Sequence, residues 1–490
     1  MLEVVVFGCG AAVMVLELVG ARILAPFCGT SLVVWTGLIG LVMASLALGY
    51  WLGGKLADRR PEARVLSGLI ALAAVLVAAT AVTKIPLLEF LASRETGPRL
   101  MVLGATLALF APAAALLGMV SPFAVRLAVR DAASAGATSG RLYALSTAGS
   151  IVGTFAAGFY LIAALGTTAI LLAVAAFLLL LSLLAWRGGI KAKIAVGAVI
   201  ALCGLGLWAN DASLAAAGVE DIDTAYGRLL VYQGIAPESG RPIRLMTTGP
   251  SRCQSAVYLD APDELALPYT RFFALALTMV EQPRRVLVLG GGGYSFPRHV
   301  LSAFPQAAVT VVELDPGVTA IARKHFGLAD DPRLTIAHED ARAFVNRDSG
   351  PYDLIYLDVF GTDYLPPFHV VTREAARRLS ALLAPGGVVV VNAIGAPAGP
   401  GGRFLRSLAA TFADVFAETA VYALAGPGRA GEEQNVMLTA RREPGPAPVP
   451  ANAEARAFLA GRIDDPAGTD AVPLTDDHAP VEWLGLGLGL

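Results

Sequence analysis

Long apolar runs fill the first 209 residues of this chain, and they leave few ways for that part to fold. A helix that crosses a bilayer needs about 20 mainly apolar residues. Inside hydrocarbon only helices and closed barrels satisfy their own backbone. Seven segments meet the helical requirement, at roughly 3–25, 32–54, 65–83, 100–125, 142–164, 167–186 and 192–209. Little more than Gly166 separates the fifth from the sixth, which predicts a tight hairpin. The glycines of Gly149-Ser-Ile-Val-Gly153 and Gly153-Thr-Phe-Ala-Ala-Gly158 are expected to let helices pack closely. The first run lacks a basic leader and is followed by further spans, so it reads as a membrane helix rather than a cleaved signal peptide. Glu17 and Arg22 sit in or at the end of that helix. Arg22 is expected to snorkel or to make an interhelical contact, and Glu17 is a candidate to meet a cationic substrate.

Residues 210–490 have the composition of an ordinary soluble domain, although the whole chain is 56% hydrophobic and only 16% charged. A net charge of −2 gives no sign of a nucleic-acid-binding surface. The four cysteines, Cys9, Cys28, Cys203 and Cys253, form no Cys-x-x-Cys pair. Neither a thiolate zinc site nor a disulfide framework is therefore expected, and no metal is called for.

Residues 210–280 predict a small β-subdomain and a connecting helix. Short strands are expected at Arg228–Tyr232, Ile243–Met246 and Ala256–Leu259, separated by turns at Pro237–Gly240 and Thr248–Pro250. The helix is expected from Pro268 to Val280. Residues 281–490 then alternate strands with helical patterns. Arg285–Leu289 runs into Gly290-Gly-Gly-Gly293, Val309–Val312 into Glu313, Leu334–Ile336 towards Asp340, Asp353–Leu357 into Asp358, and Val388–Val391 into Asn392. This pattern predicts a Rossmann-like parallel sheet covered by helices on both faces. Such sheets bind ligands beyond the carboxyl ends of their strands, and each of these polar residues falls at or just after such an end.

The positions assign chemistry. Gly290, Gly291 and Gly292 let backbone approach a nucleotide-like ligand. Glu313, ending the second strand, can accept both ribose hydroxyls. Asp340 would sit near an adenine amino group. Asp358 could hold an amine and take its proton as the amine becomes a nucleophile. Asp363, five residues on, could supply a second negative charge. Asp476 and Asp477, in Thr475-Asp-Asp-His-Ala-Pro480, could close over the pocket.

These residues resemble the spermidine synthase family of polyamine aminopropyltransferases. The matching run begins near Tyr226 and passes through Gln254-Ser255, Asp263-Glu264, Tyr269, the glycine turn, Glu313-Leu-Asp315, Glu339-Asp340 and Leu357-Asp358. The whole chain resembles the bacterial membrane-fused members, whose N-terminal part is similar to half of a major-facilitator transporter. Gly53-Gly-Lys-Leu-Ala-Asp-Arg-Arg60 and Thr475-Asp-Asp477 with Ala-Pro480 carry that likeness. The resemblance implies decarboxylated S-adenosylmethionine as aminopropyl donor and putrescine or another amine as acceptor. It also implies that Tyr269 and Gln254 line the pocket and that the protein lies in the bacterial inner membrane, in contact with the lipid bilayer.

Two departures bear on the substrates. The family's glycine turn usually ends in an aspartate that grips the donor amine, and here Gly293 stands there, followed by Tyr294. The family's tyrosine is usually followed by Gln or His and then Glu, whereas Tyr269 is followed by Thr270 and Arg271. S-adenosylmethionine as donor, and hence methyl transfer, is therefore an alternative. A polyamine transporter or sensor with a non-catalytic ligand-binding domain is another, and half a transporter would then require a homodimer. Topology is contested in the sequence itself. Ten basic residues flank one side of the seven spans and four the other, which puts the N-terminus in the cytoplasm and residues 210–490 outside. A cofactor made in the cytosol argues for a cytoplasmic catalytic domain, and that is the expectation adopted.

Overall fold

The computed structural model describes residues 1–29, 31–94, 97–186, 188–248, 253–360, 365–468 and 471–485. Asp363, Arg187 and part of the turn expected at 248–250 lie outside the described residues. The chain divides into two compact units, Met1–Arg228 and Leu229–Leu490.

Among the described residues, the first unit has seven helices long and apolar enough to cross a membrane. The fourth differs from expectation. It is not one uninterrupted helix but three helical pieces, Gly97–Leu109, Ala111–Gly118 and Val120–Ala128. Pro112 and Pro122 account for the breaks. Each lacks the N–H that would reach back one turn, and each ring crowds the preceding turn. The fifth helix, Ala135–Ala156, continues through a π turn at Ala157–Leu161 to Ala164, and Leu165-Gly166 then turns the chain into Thr167–Ala185.

The expected role of the small residues holds at two of the three glycines. A Cβ on Gly149 would overlap the backbone of Phe7, and one on Gly153 the backbone of Ala11. The first and fifth helices therefore meet backbone to backbone. Gly158 faces open space, because the π turn has rotated it away from that seam. Arg22 reaches the chain that leaves the bundle. Its guanidinium donates to the carbonyls of Thr224, Ala225 and Gly227, just past the short strand β1 (Glu220–Asp223). The Asp223 carboxylate accepts from the Thr167 N–H at 3.0 Å, so it caps the sixth apolar helix. These contacts tie the outgoing chain to the ends of the bundle.

In the second unit β2 (Arg228–Ile235), β3 (Pro242–Thr247) and β4 (Cys253–Tyr258) form an antiparallel meander, as the turn signals predict. A helix at Pro268–Ala276, tightened to a 3₁₀ turn at Leu277–Met279, leads to the main sheet. That sheet contains β5 (Arg285–Leu289), β6 (Ala308–Val312), β7 (Leu334–Ala337), β8 (Tyr352–Leu357), β9 (Leu383–Gly395), β10 (Glu418–Ala423), β11 (Gln434–Arg441) and β12 (Arg462–Ile463). Its order is β12-β10-β11-β9-β8-β5-β6-β7. The five strands β7-β6-β5-β8-β9 are parallel, and β11, β10 and β12 add antiparallel at one edge. Near-continuous apolar runs such as Val388–Val391 are what a strand covered on both faces requires. One boundary is corrected. Asn392 does not end its strand but lies inside β9, which runs on to Gly395.

The order places a topological switch point between β5 and β8. The chain leaves β5 towards β6 on one side and leaves β8 towards β9 on the other, which opens a crevice at their carboxyl ends. Gly290 and Asp358 are the first residues beyond those two ends.

Candidate active site

Two features bring the glycine turn close to β8. Gly290 has φ 97°, and a Cβ there would overlap the carbonyl oxygen of Asp358. Only glycine serves at that point. Tyr294 ends the turn at φ 56°, fully buried, with its hydroxyl 2.7 Å from Thr319 Oγ1. The turn's N–H groups are held by two side chains. Glu313 Oε2 accepts from Gly291 at 2.8 Å and Gly292 at 3.4 Å, and Ser255 Oγ, from β4, accepts from Gly293 at 2.8 Å. Glu313 Oε1 accepts from the Asp315 N–H at 2.9 Å. Burial, at 9% exposure, lifts the Glu313 carboxyl above its ordinary range, and the three N–H donors pull the other way.

Asp358 faces a pocket lined by Ser255, Tyr269, Thr270, Gly291, Tyr294 and Phe296. Burial pushes its carboxyl up to about 6, against the Asn392 amide and the Tyr269 hydroxyl, which favour the ionised form. Asn392 Nδ2 donates to Asp358 Oδ1 at 2.9 Å. Tyr269 sits on the helix Pro268–Ala276 with its ring edge-on to Phe273. Its hydroxyl is held well above the usual phenol range by burial and by the facing Asp358. The arrangement is a carboxylate poised near neutrality, beside a tyrosine that remains a proton donor, at the mouth of a glycine-lined crevice. It can accept a proton from an amine.

The other expected residues take different positions. Asp340 caps the helix Ala341–Arg347, accepting from the Ala343 N–H at 3.0 Å, and its other oxygen meets His369 Nε2 at 3.1 Å. Partial burial opposes ionisation there, but the Ala343 N–H and His369 hold the carboxyl below its usual range. Asp476 does not reach the pocket. It accepts from Arg342 at 2.8 Å and Thr372 at 2.6 Å, which pins its segment to the helix Ala341–Arg347 and to the start of the helix Arg373–Ala381. Asp477 is exposed beside it. Gln254 has an exposed side chain, and its carbonyl lies 3.5 Å from the Tyr269 hydroxyl. Arg271 turns away from the crevice to Glu454, Glu238 and the Ala266 carbonyl. Thr270, buried, donates to the Leu267 carbonyl at 2.7 Å.

Sequence reasoning missed His369 and the role of Asn392. His369 sits beyond a loop of no recognisable pattern. Asn392 carries a weak signal, as a lone amide closing a run of four valines. Among the described residues no group of His, Cys, Asp and Glu could hold a metal ion.

Residues 269–427 match the spermine/spermidine synthase domain family. This part of the chain is similar to that family. The match spans the glycine turn, Glu313, Asp340 and Asp358. A polyamine aminopropyltransferase of Vibrio vulnificus is 33% identical over 145 residues, covering 29% of this chain and 48% of that protein. An eEF1A lysine and N-terminal methyltransferase of Bos taurus is 29% identical over 144 residues, covering 27% of this chain and 21% of that protein. The matched part thus spans about half the length, or less, of these relatives. A probable spermidine synthase structure from Corynebacterium glutamicum aligns at TM-score 0.42 and 24% identity, covering 50% of this chain and 93% of that one. The matched region is preceded here by the small antiparallel sheet and, before that, by the seven apolar helices of the described residues.

Proposed function

We propose that the protein is a membrane-bound aminopropyltransferase-like enzyme that moves an aminopropyl group from decarboxylated S-adenosylmethionine to putrescine or another amine. The observation that carries this reading is the Asp358 carboxylate, aimed by Asn392 and paired with Tyr269 at the pocket. The acceptor nitrogen attacks the carbon beside the sulfonium, the carbon–sulfur bond breaks, and methylthioadenosine leaves. Asp358 takes the proton that the new secondary amine sheds. The domain's other contribution is to position the reactants. Glu313 and the glycine turn are the best groups to hold ribose, and Asp340 with His369 borders the adenine end.

Methyl transfer from S-adenosylmethionine is a second reading, favoured by one observation. A Cβ on Gly293 would lie 3.0 Å from Ser255 Cβ and 3.1 Å from Phe326 Cδ1. The place where the family carries an amine-gripping aspartate is therefore filled by neighbours, and a donor with a methionine carboxylate meets no added repulsion there. The test is product identity. Purified protein is incubated with putrescine and each donor in turn. Methylthioadenosine formed only from the decarboxylated donor supports aminopropyl transfer, and S-adenosylhomocysteine supports methyl transfer. Tight binding with neither product supports the sensor.

Two further outcomes are expected of the leading reading. Since Asp358 must be ionised to take a proton, kcat/KM should fall as pH drops through about 6, ten-fold per pH unit below it. Glu313→Gln should weaken methylthioadenosine binding by roughly 10- to 100-fold in calorimetry, because a charged acceptor is lost at the ribose hydroxyls. An unchanged affinity would remove Glu313 from the cofactor site.

The proposed setting is a bacterial inner membrane with the catalytic unit in the cytoplasm, where the donor is made. Seven spans then place the N-terminus outside, against the balance of basic loop residues. Protease treatment of intact spheroplasts should leave residues 229–490 uncut, and their digestion would put the domain on the outer face.

A further inference from the structure

Three adjacent strands carry one polar side chain each to the same corner of the sheet. Asp358 follows β8, Asn392 lies in β9 and Asn435 lies near the start of β11. Leu357 pairs with Val391, which sets Asp358 beside Asn392. Asn392 pairs with Met437, and Asn435 with Ile394, so Asn435 is the diagonal neighbour of Asn392 on one face. Asn435 Nδ2 donates to Asn392 Oδ1 at 3.0 Å, and Asn392 Nδ2 donates to Asp358 Oδ1 at 2.9 Å. Asn435 lies outside the region that matches the synthase family.

We propose that Asn435 is a positioning residue, which acts through Asn392 to hold the Asp358 carboxylate in one orientation and favour its charged form. An ionised carboxylate only accepts hydrogen bonds, so Asn392 must turn its NH₂ towards it. The opposite flip would set the Asn392 carbonyl against the carboxylate. Asn392 is 2% exposed, so the protein groups around it settle the choice. The donor from Asn435 settles it by occupying the Asn392 oxygen. Among the described residues, the other groups that face Asp358 are Tyr269, from the helix Pro268–Ala276, and Glu313, from the end of β6; Cys253 faces Tyr269 from β4. Glu313 opposes ionisation of Asp358. The two amides therefore supply a fixed dipole chain where a neighbouring negative charge and burial would leave the carboxyl protonated.

The inference rests on Asp358 being the base of the proposed reaction, but its test does not depend on turnover. In the full-length protein, infrared difference spectra against the matching Asp358→Asn variant isolate the Asp358 carboxyl band, which is titrated with pH. In Asn435→Asp the new carboxylate draws the Asn392 NH₂ to itself and turns its carbonyl onto Asp358. The titration should move up by about one pH unit, and the acid limb of kcat/KM should move with it. Asn435→Ala frees the Asn392 amide without drawing its NH₂ away and should shift the titration up by a smaller amount, about half a unit. Through-space repulsion is separated by repeating Asn435→Asp in an Asn392→Ala background, where the shift should fall to less than half. Equal shifts in the two backgrounds, or no shift in either, would overturn the relay. A wild-type protein that forms no product with either donor overturns the functional reading alone, since the infrared titration still decides whether the amides act on Asp358.

Discussion

Asp358→Asn is expected to lower turnover by roughly 100- to 10,000-fold, the range for loss of a general base, while methylthioadenosine binds as before. The carboxylate hydrogen-bonds Asn392 and Tyr269, while Glu313, assigned to the ribose, acts on it through charge, so binding and turnover should separate. Calorimetry with methylthioadenosine reads the first, and the product assay reads the second. Turnover within three-fold of wild type would remove Asp358 from its role. The same variant carries a stability signature. The Asp358 carboxyl titrates at about 6 in the folded chain against an ordinary value of 3.8. The folded state therefore binds this proton more tightly, and its contribution to stability is present below pH 3.8 and is lost as pH rises through 6. The loss amounts to up to ~3 kcal/mol. Between pH 4 and pH 7 the wild type should lose more thermal stability than Asp358→Asn, which has no such proton to release. An active site that holds a buried base ionised at neutral pH destabilises its own fold by that amount.

Gly290→Ala should have the other large effect, and on the fold itself. Gly290 adopts φ 97°, which an L-residue reaches only with strain, and the added methyl would overlap the Asp358 carbonyl. The backbone cannot move aside easily there. The Gly290 N–H donates to Val312 at 2.8 Å, and the Asp358 N–H donates to Leu289 at 2.8 Å, so β5, β6 and β8 are knitted together at this point. A loss of at least ~3 kcal/mol from strain and overlap together, with methylthioadenosine binding abolished, is the expected outcome. Gly386→Ala is the matched control. It also has positive φ, at 73°, but its Cβ would meet nothing within 4 Å, so it should cost only about 1 kcal/mol. Chemical denaturation of the two variants separates conformational strain from steric overlap. Similar losses would show that the approach of Gly290 to Asp358 is not a constraint.

Much of the architecture was legible from local pattern. Seven apolar runs gave seven helices, and the glycine turn, Glu313 and Asp358 fell at strand ends because a parallel sheet brings every such end to one edge. The breaks in the fourth apolar helix are legible in principle, since Pro112 and Pro122 stand in the chain, but apolar composition alone does not register them. The contacts of Arg22 with Thr224, Ala225 and Gly227 are not legible in the sequence, because they join residues some two hundred positions apart. The partners of Asp476 are hidden for the same reason. A carboxylate near the end of the chain gives no sign that Arg342 and Thr372 will claim it.

The candidate site divides along the same line. Residue type and spacing determined that this chain joins a membrane-length apolar half to a sheet with a glycine turn and three acids at its ligand edge. Those features are local: helix length follows from a run of apolar residues, and a strand end follows from where that run stops. The tertiary structure alone decided which acid is available. Sheet order set Glu313 on the turn's N–H groups, tied Asp340 to His369 and drew Asp476 away. It left Asp358 facing the pocket with Asn392 and Asn435 behind it, three residues spread over nearly eighty positions. Hydrogen bonds act over about 3 Å, and only the packing of β8, β9 and β11 side by side brings those groups within that reach.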